Sequence, residues 1–222
     1  MIGARFGWRN TGLLFMVLLF ASAGVAQDDY LRGDIKQAQK IGGSMSINGR
    51  VGGRMDTRIF GTSKSFNFKL KATWFTPEVI RATARYFQLR QGLSESAARA
   101  LVEEAEAVDG TVIMVEIDPR EGSGVIPLDW EAYLRPDGTE VMTPAVKNND
   151  LRKIKVFESV TPRDYSYDRF WLIFPYVTPE DAPLFLPSTS KCQLFVRIDN
   201  KEGIVEWKIP DSIHRAVASK KP

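Results

Sequence analysis

From Phe66 to Trp74 the chain alternates without a break. Phe66, Phe68, Leu70, Ala72 and Trp74 fall on one parity, and Asn67, Lys69, Lys71 and Thr73 on the other. This pattern demands a β-strand with one face on a core. A helix starts almost at once. Thr76 suits the N-cap, Pro77 the first helical position, and Glu78 complements the N-terminal dipole. Ile80, Ala84 and Phe87, with Val79 and Thr83 beside them, make an apolar stripe, and Gly92 is its stop signal. Ser94 caps a second helix running to about Ala107, with Ala97, Leu101, Ala105 and Val108 as its stripe. The short connection makes an antiparallel helical hairpin over 77–107.

Downstream the chain reads mainly as strand. Asp109-Gly110 turns into Thr111–Ile117, where apolar residues occupy both parities, as in a central strand. Trp130, Ala132 and Leu134 alternate up to the turn Arg135-Pro136-Asp137-Gly138, and a returning strand is expected over Thr139–Met142. Ile154–Glu158 is expected as a further strand, and Phe170–Phe174 as a short, wholly apolar one ended by Pro175. Cys192, Leu194, Val196 and Ile198 share a face, as do Val205, Trp207 and Ile209 after the turn Asp199–Gly203. About eight short strands with turns between them predict a mainly β (α+β) fold: an antiparallel β-sandwich with the α-helical hairpin inserted among its early strands. The closing hairpin resembles that of immunoglobulin-like envelope modules, which makes an immunoglobulin-like sandwich over 62–212 the expectation. Residues 27–61, polar and rich in Gly and Arg, read as an N-terminal arm or edge strands, and 213–222 as a C-terminal tail.

The start of the chain carries a different signal. Arg5 and Arg9 precede the apolar run Leu13–Phe20, then the small residues Ala21–Ala26, then acidic Asp28 and Asp29. This is the order of a secretory signal peptide, expected over 1–26 with cleavage after Ala26 or, second, after Ala23. The run is too short for a membrane anchor, which needs about 20 apolar residues. No second long apolar run follows, so no span is expected after cleavage. The reading is therefore an exported protein, periplasmic or extracellular. One cysteine in 222 residues allows no intramolecular disulfide, which fits a bacterial envelope protein with a core of its own.

Losing Arg5 and Arg9 leaves 28 basic against 27 acidic residues. Near-neutrality argues against nucleic acid as a partner. Residue scarcity excludes more. A Ser-His-Asp triad or a Cys–His pair must use His214, the sole histidine, and Cys192 lies on an apolar strand face. Two Cys or His ligands are too few for zinc, no EF-hand spacing occurs, and Gly122-Ser123-Gly124 lacks the Lys-Ser/Thr of a phosphate loop. No cofactor is indicated. Glu116 with Asp118, and Asp129 with Glu131, stand two apart on strands at about 7 Å, a separation formally open to carboxylate hydrolysis of polysaccharide but one that arises by chance in most β proteins, so a solvated face is the expected reading. Trp74, Trp130, Trp171 and Trp207 fall at strand positions and read as core rather than as a carbohydrate platform. Arg81, Arg85 and Arg99 on the helical hairpin are the candidate partner-binding residues, set to meet something acidic. The favoured function is a non-catalytic interaction or structural module of the envelope, its partner a protein or polymer. The alternative is a carboxylate-dependent hydrolase acting on envelope polysaccharide.

Overall fold

The computed structural model describes residues 29–53, 67–119, 126–161, 168–178 and 181–220. The expected signal peptide lies outside them. The fold is mixed α/β, with two antiparallel sheets, four α-helices among the described residues, and no closed barrel. One sheet contains β1 (Ser46–Val51), β2 (Phe68–Phe75), β3 (Thr111–Pro119), β6 (Val146–Lys147) and β7 (Asp168–Phe174), ordered β1-β2-β3-β7-β6. The other contains β4 (Glu131–Pro136), β5 (Thr143–Pro144), β8 (Lys191–Ile198) and β9 (Lys201–Lys208), ordered β5-β4-β8-β9. No helix among the described residues is long and apolar enough to cross a membrane.

The alternation along β2 decides which layer each side chain joins. Phe68, Leu70, Ala72 and Trp74 pack with Ile113, Val115 and Ile117 of β3 against the four-stranded sheet. Phe75, Val112 and Met114 point the other way, into a second core under the helices. β3 is buried on both faces, which is why its sequence is apolar at both parities. The second core is roofed by α2 (Pro77–Gln91) and α3 (Glu95–Glu106). Thr76 Oγ1 accepts from Val79 N–H at 3.4 Å and Ser94 Oγ from Ala97 N–H at 3.2 Å. Gly92 ends α2 in the left-handed region at φ 64°.

A helical layer on the outer face of one sheet separates this architecture from the expected immunoglobulin-like sandwich, whose two sheets have solvated outer faces. Further differences have local causes. Ile154–Glu158 is not a strand. Ile154 is the junction between two short 3-10 helices, Asn149–Lys153 and Lys155–Glu158, and the rest of the segment is the second of them. Adjacent Val156 and Phe157 are both fully buried in the same core, which a strand would have sent to opposite faces. The returning strand is only β5, at Thr143–Pro144 rather than Thr139–Met142. Residues expected as tail form α4 (Asp211–Ser219), whose Ile213 and Val217, one turn apart, enter the sandwich core. Before β1, α1 (Ile35–Gly42) is capped by Asp34, whose Oδ1 accepts from Gln37 N–H at 2.8 Å.

The two sheets pinch together where β1 meets β9. Gly52 N–H donates to Glu202 O at 3.1 Å, and Trp207 Nε1 to Met45 O at 3.0 Å. Glycine permits the approach: a Cβ on Gly203 would lie 2.5 Å from Arg50 O.

Candidate functional site

Glu116 lies on the helix-side parity of β3, beyond the end of the helical roof. It is 1% exposed. The strand register sets Lys71 of β2 and Arg169 of β7 directly beside it. Lys71 Nζ lies 3.5 Å from Glu116 Oε2, and Arg169 Nε 3.0 Å from Oε1. Asp118 pairs likewise with Lys69 at 3.8 Å. Both carboxylates face cations across the sheet, Glu116 out of contact with solvent and Asp118 partly exposed. Asp129 and Glu131 are exposed, and Glu131 Oε2 accepts from the Tyr133 hydroxyl at 2.7 Å.

Arg169 carries this charged row into a groove of about 740 Å³. Its Nη1 also donates to Glu158 O at 3.2 Å, so the guanidinium plane is fixed from two sides. Arg90 of α2 and Arg152 of the Asn149–Lys153 turn line the same groove. Arg90 Nη1 donates to the Tyr86 hydroxyl at 2.7 Å, with its guanidinium 5.8 Å from the ring centroid. The floor is apolar, made by Phe87, Val160 and Trp171, all buried. Lys155 sits over the Phe87 ring at 5.2 Å and adds positive potential from behind. Among the described residues Glu158 is the one acid in the lining, against three arginines. Arg169 is already paired with Glu116, so Arg90 and Arg152 supply the positive potential that a cleft with low-dielectric walls concentrates on an incoming anion. Arginine forks suit carboxylate or phosphate oxygens.

The backbone beside the groove is strained. Ser159 sits at φ 67°, ψ 153°, a region that is almost glycine-only and costs about 1–3 kcal/mol for another residue. Its hydroxyl is 2.9 Å from Thr161 Oγ1 and accepts from Thr161 N–H at 3.2 Å. Both hydroxyls line the groove. Strain held in place by local bonds is characteristic of sites where geometry matters more than stability.

The three arginines singled out in the sequence go to three different places. Arg81 meets Glu106 of α3 at 3.0 Å and lines a separate groove against α4. Arg85 turns toward the N-terminal segment, where its Nε donates to Gly33 O at 2.9 Å and its Nη1 to Gln88 Oε1 at 2.7 Å. Arg99 pairs with Glu95, one turn before it, at 3.8 Å. Arg90, on the same helix, reaches the first groove instead. The sequence signal for it is the Tyr86–Arg90 pair at i, i+4, where a cation rests on an aromatic ring. Nothing in the sequence announces that Arg152 and Arg169 join it, because the strand pairing and the one-turn helices bring them there.

Cys192 is fully buried, and burial pushes its thiol well above the usual range. All four strand tryptophans are buried, with Trp74 tilted on Phe185 and edge-on to Trp207 at 5.8 Å. Among the described residues no cluster of three or more His, Cys, Asp or Glu side chains could hold a metal ion.

No family model matches the chain, and no curated protein matches it. A crystal structure of a protein of unknown function from Burkholderia pseudomallei K96243 aligns with 89% of this chain and 91% of its own, at 12% identity and a TM-score of 0.37.

Proposed function

We propose that the chain is an exported, non-catalytic interaction module of the bacterial envelope, and that it holds an anionic partner in the groove of Arg90, Arg152 and Arg169. The observation that carries this reading is the shared rim: three guanidiniums delivered by three separate elements to one apolar-floored groove. The strained Ser159 beside it supports the same reading. Export rests on the charged, apolar, small-residue order of residues 1–26.

One preparation tests both parts. The protein is expressed with its leader in a bacterial host and recovered from the exported fraction. Its first residue should be Gln27, or Gly24 for the earlier cut. The mature protein is then used to capture partners from its native envelope, beside an Arg90→Gln, Arg152→Gln variant. Both arginines are exposed, so the variant should keep wild-type stability within about 0.5 kcal/mol. Capture by wild type should weaken with salt, and the variant should lose it. Exported material beginning at Met1 sinks the export reading. A folded variant that captures the same partners sinks the groove.

A further inference from the structure

We infer that the second groove, at the seam of α2, α3 and α4, is a binding site for a small organic monocarboxylate with a hydrocarbon tail. The groove measures about 420 Å³, near the lower end of small-molecule sites at about 300–1,000 Å³. Its walls are apolar: Phe75, Ile80, Ala105 and Val112 are buried core residues that also line it. Its rim is cationic, with Arg81 from α2 and Arg215 and Lys220 from the C-terminal helix and its end.

Two features specify the ligand. The first is an unmet donor. Arg81 Nη2 is held by Glu106 at 3.0 Å, which fixes the guanidinium, while Arg81 Nε is buried with no hydrogen-bond partner among the described residues. A buried donor left unpaired is costly, and an acceptor delivered into the groove removes that cost. The second is the charge balance. Glu106 offsets Arg81, and Asp109 offsets Lys220 at 3.6 Å. Arg215, exposed on the rim, is in no ion pair among the described residues and is the cation placed to meet a single carboxylate. The Tyr176 hydroxyl in the same lining is raised above its ordinary range chiefly by burial and is already hydrogen-bonded to the Thr111 side chain, which leaves the Arg81 donor as the unmet one. An inorganic anion would use the rim and waste the walls. A hydrocarbon would use the walls and leave the Arg81 donor unmet.

The test is titration of the mature protein with octanoate by calorimetry, with hexanoate, acetate, 1-octanol and inorganic phosphate as comparators. Octanoate should bind one to one. Each methylene removed should weaken binding about fourfold, which makes hexanoate roughly fifteenfold weaker than octanoate. Octanol and phosphate should bind at least tenfold more weakly than octanoate. Arg81→Gln should reduce octanoate affinity at least tenfold. Because that change also strips Glu106 of its partner, Ala216→Phe serves as a second variant. It fills the groove from α4, leaves the ion pairs in place, and should abolish binding. The inference is overturned if octanoate fails to bind wild type, if octanol or phosphate binds as tightly, or if both variants bind octanoate like wild type. None of these outcomes touches the Arg90, Arg152 and Arg169 groove.

Discussion

The five-stranded sheet has two faces, and they are used differently. The face toward β4, β8 and β9 is closed by apolar and aromatic side chains from end to end, with Trp74 and Trp207 packed edge to face at its centre. The face toward the helices is closed only under α2, α3 and the two 3-10 helices that carry Leu151, Val156 and Phe157. Beyond the roof the same strands present Lys71, Glu116 and Arg169, and both grooves open along the margins of the helices. The parity of each strand residue thus separates stability from binding: one parity builds a dry interior, the other a partly covered surface where charge can be arranged.

Truncating a tryptophan on each face should break or confirm that contrast most sharply. Trp74→Ala removes a ring with no exposure and its hydrogen bond to the Thr111 hydroxyl at 2.6 Å, and it should cost about 5 kcal/mol. Trp171→Ala, beside the arginine groove, should cost about 3 kcal/mol, because neighbouring groove residues can relax into the space. Urea denaturation of the two variants measures both, and equal costs would mean that the faces do not differ energetically.

An effect equal to that of Trp171→Ala is expected at the edge of the roof. Glu116→Gln leaves Lys71 and Arg169 facing each other, both side chains mostly buried, without the charge that holds them. Breaking a buried ion pair from one side should cost about 3 kcal/mol, and the loss should persist at high salt because the site is shielded. A loss that vanishes in salt would show this row to be solvated.

The smallest change sits on the dry side. Cys192→Ser should lower stability by about 1–3 kcal/mol by burying a hydroxyl among apolar neighbours. The thiol also makes this face sensitive to alkali. Its folded-state pKa is raised, so its contribution is complete below the unfolded value of about 8.5 and is lost as pH rises above it. Stability measured from pH 7 to 10 should therefore fall less steeply in Cys192→Ala than in wild type. Identical slopes would place Cys192 in contact with water.

Much of the dry face is legible in the sequence, because period-two alternation in β2, β8 and β9 reports burial on one side directly. The helical hairpin is legible too, since Thr76, Pro77, Ser94 and Gly92 are local signals that act within a turn. The rest depends on contacts between distant residues. Ile213 and Val217 make a helical stripe only two residues long, too brief to distinguish from a tail without the core that receives it. Glu116 looks like one member of an ordinary solvated row until Lys71 and Arg169 stand on either side of it. Arg90, Arg152 and Arg169 lie on elements whose proximity is set by the fold alone, so the arginines chosen on the hairpin carry the right chemistry at positions the fold uses elsewhere.

The pinch between β1 and β9 ties the beginning of the described chain to its end. Trp207 donates to Met45 across 162 residues, and the Gly52 to Glu202 bond spans nearly as far. Closing so long a loop costs chain entropy before it returns any packing, and topologies dominated by such contacts fold at the slow end of the range for small domains. Until β9 exists the sandwich interior has an open seam, with the β1 edge unmatched. A nascent chain of this sequence therefore cannot complete the core between its two sheets while its last strand is still being made, whereas the core under the helices needs no residue of β9.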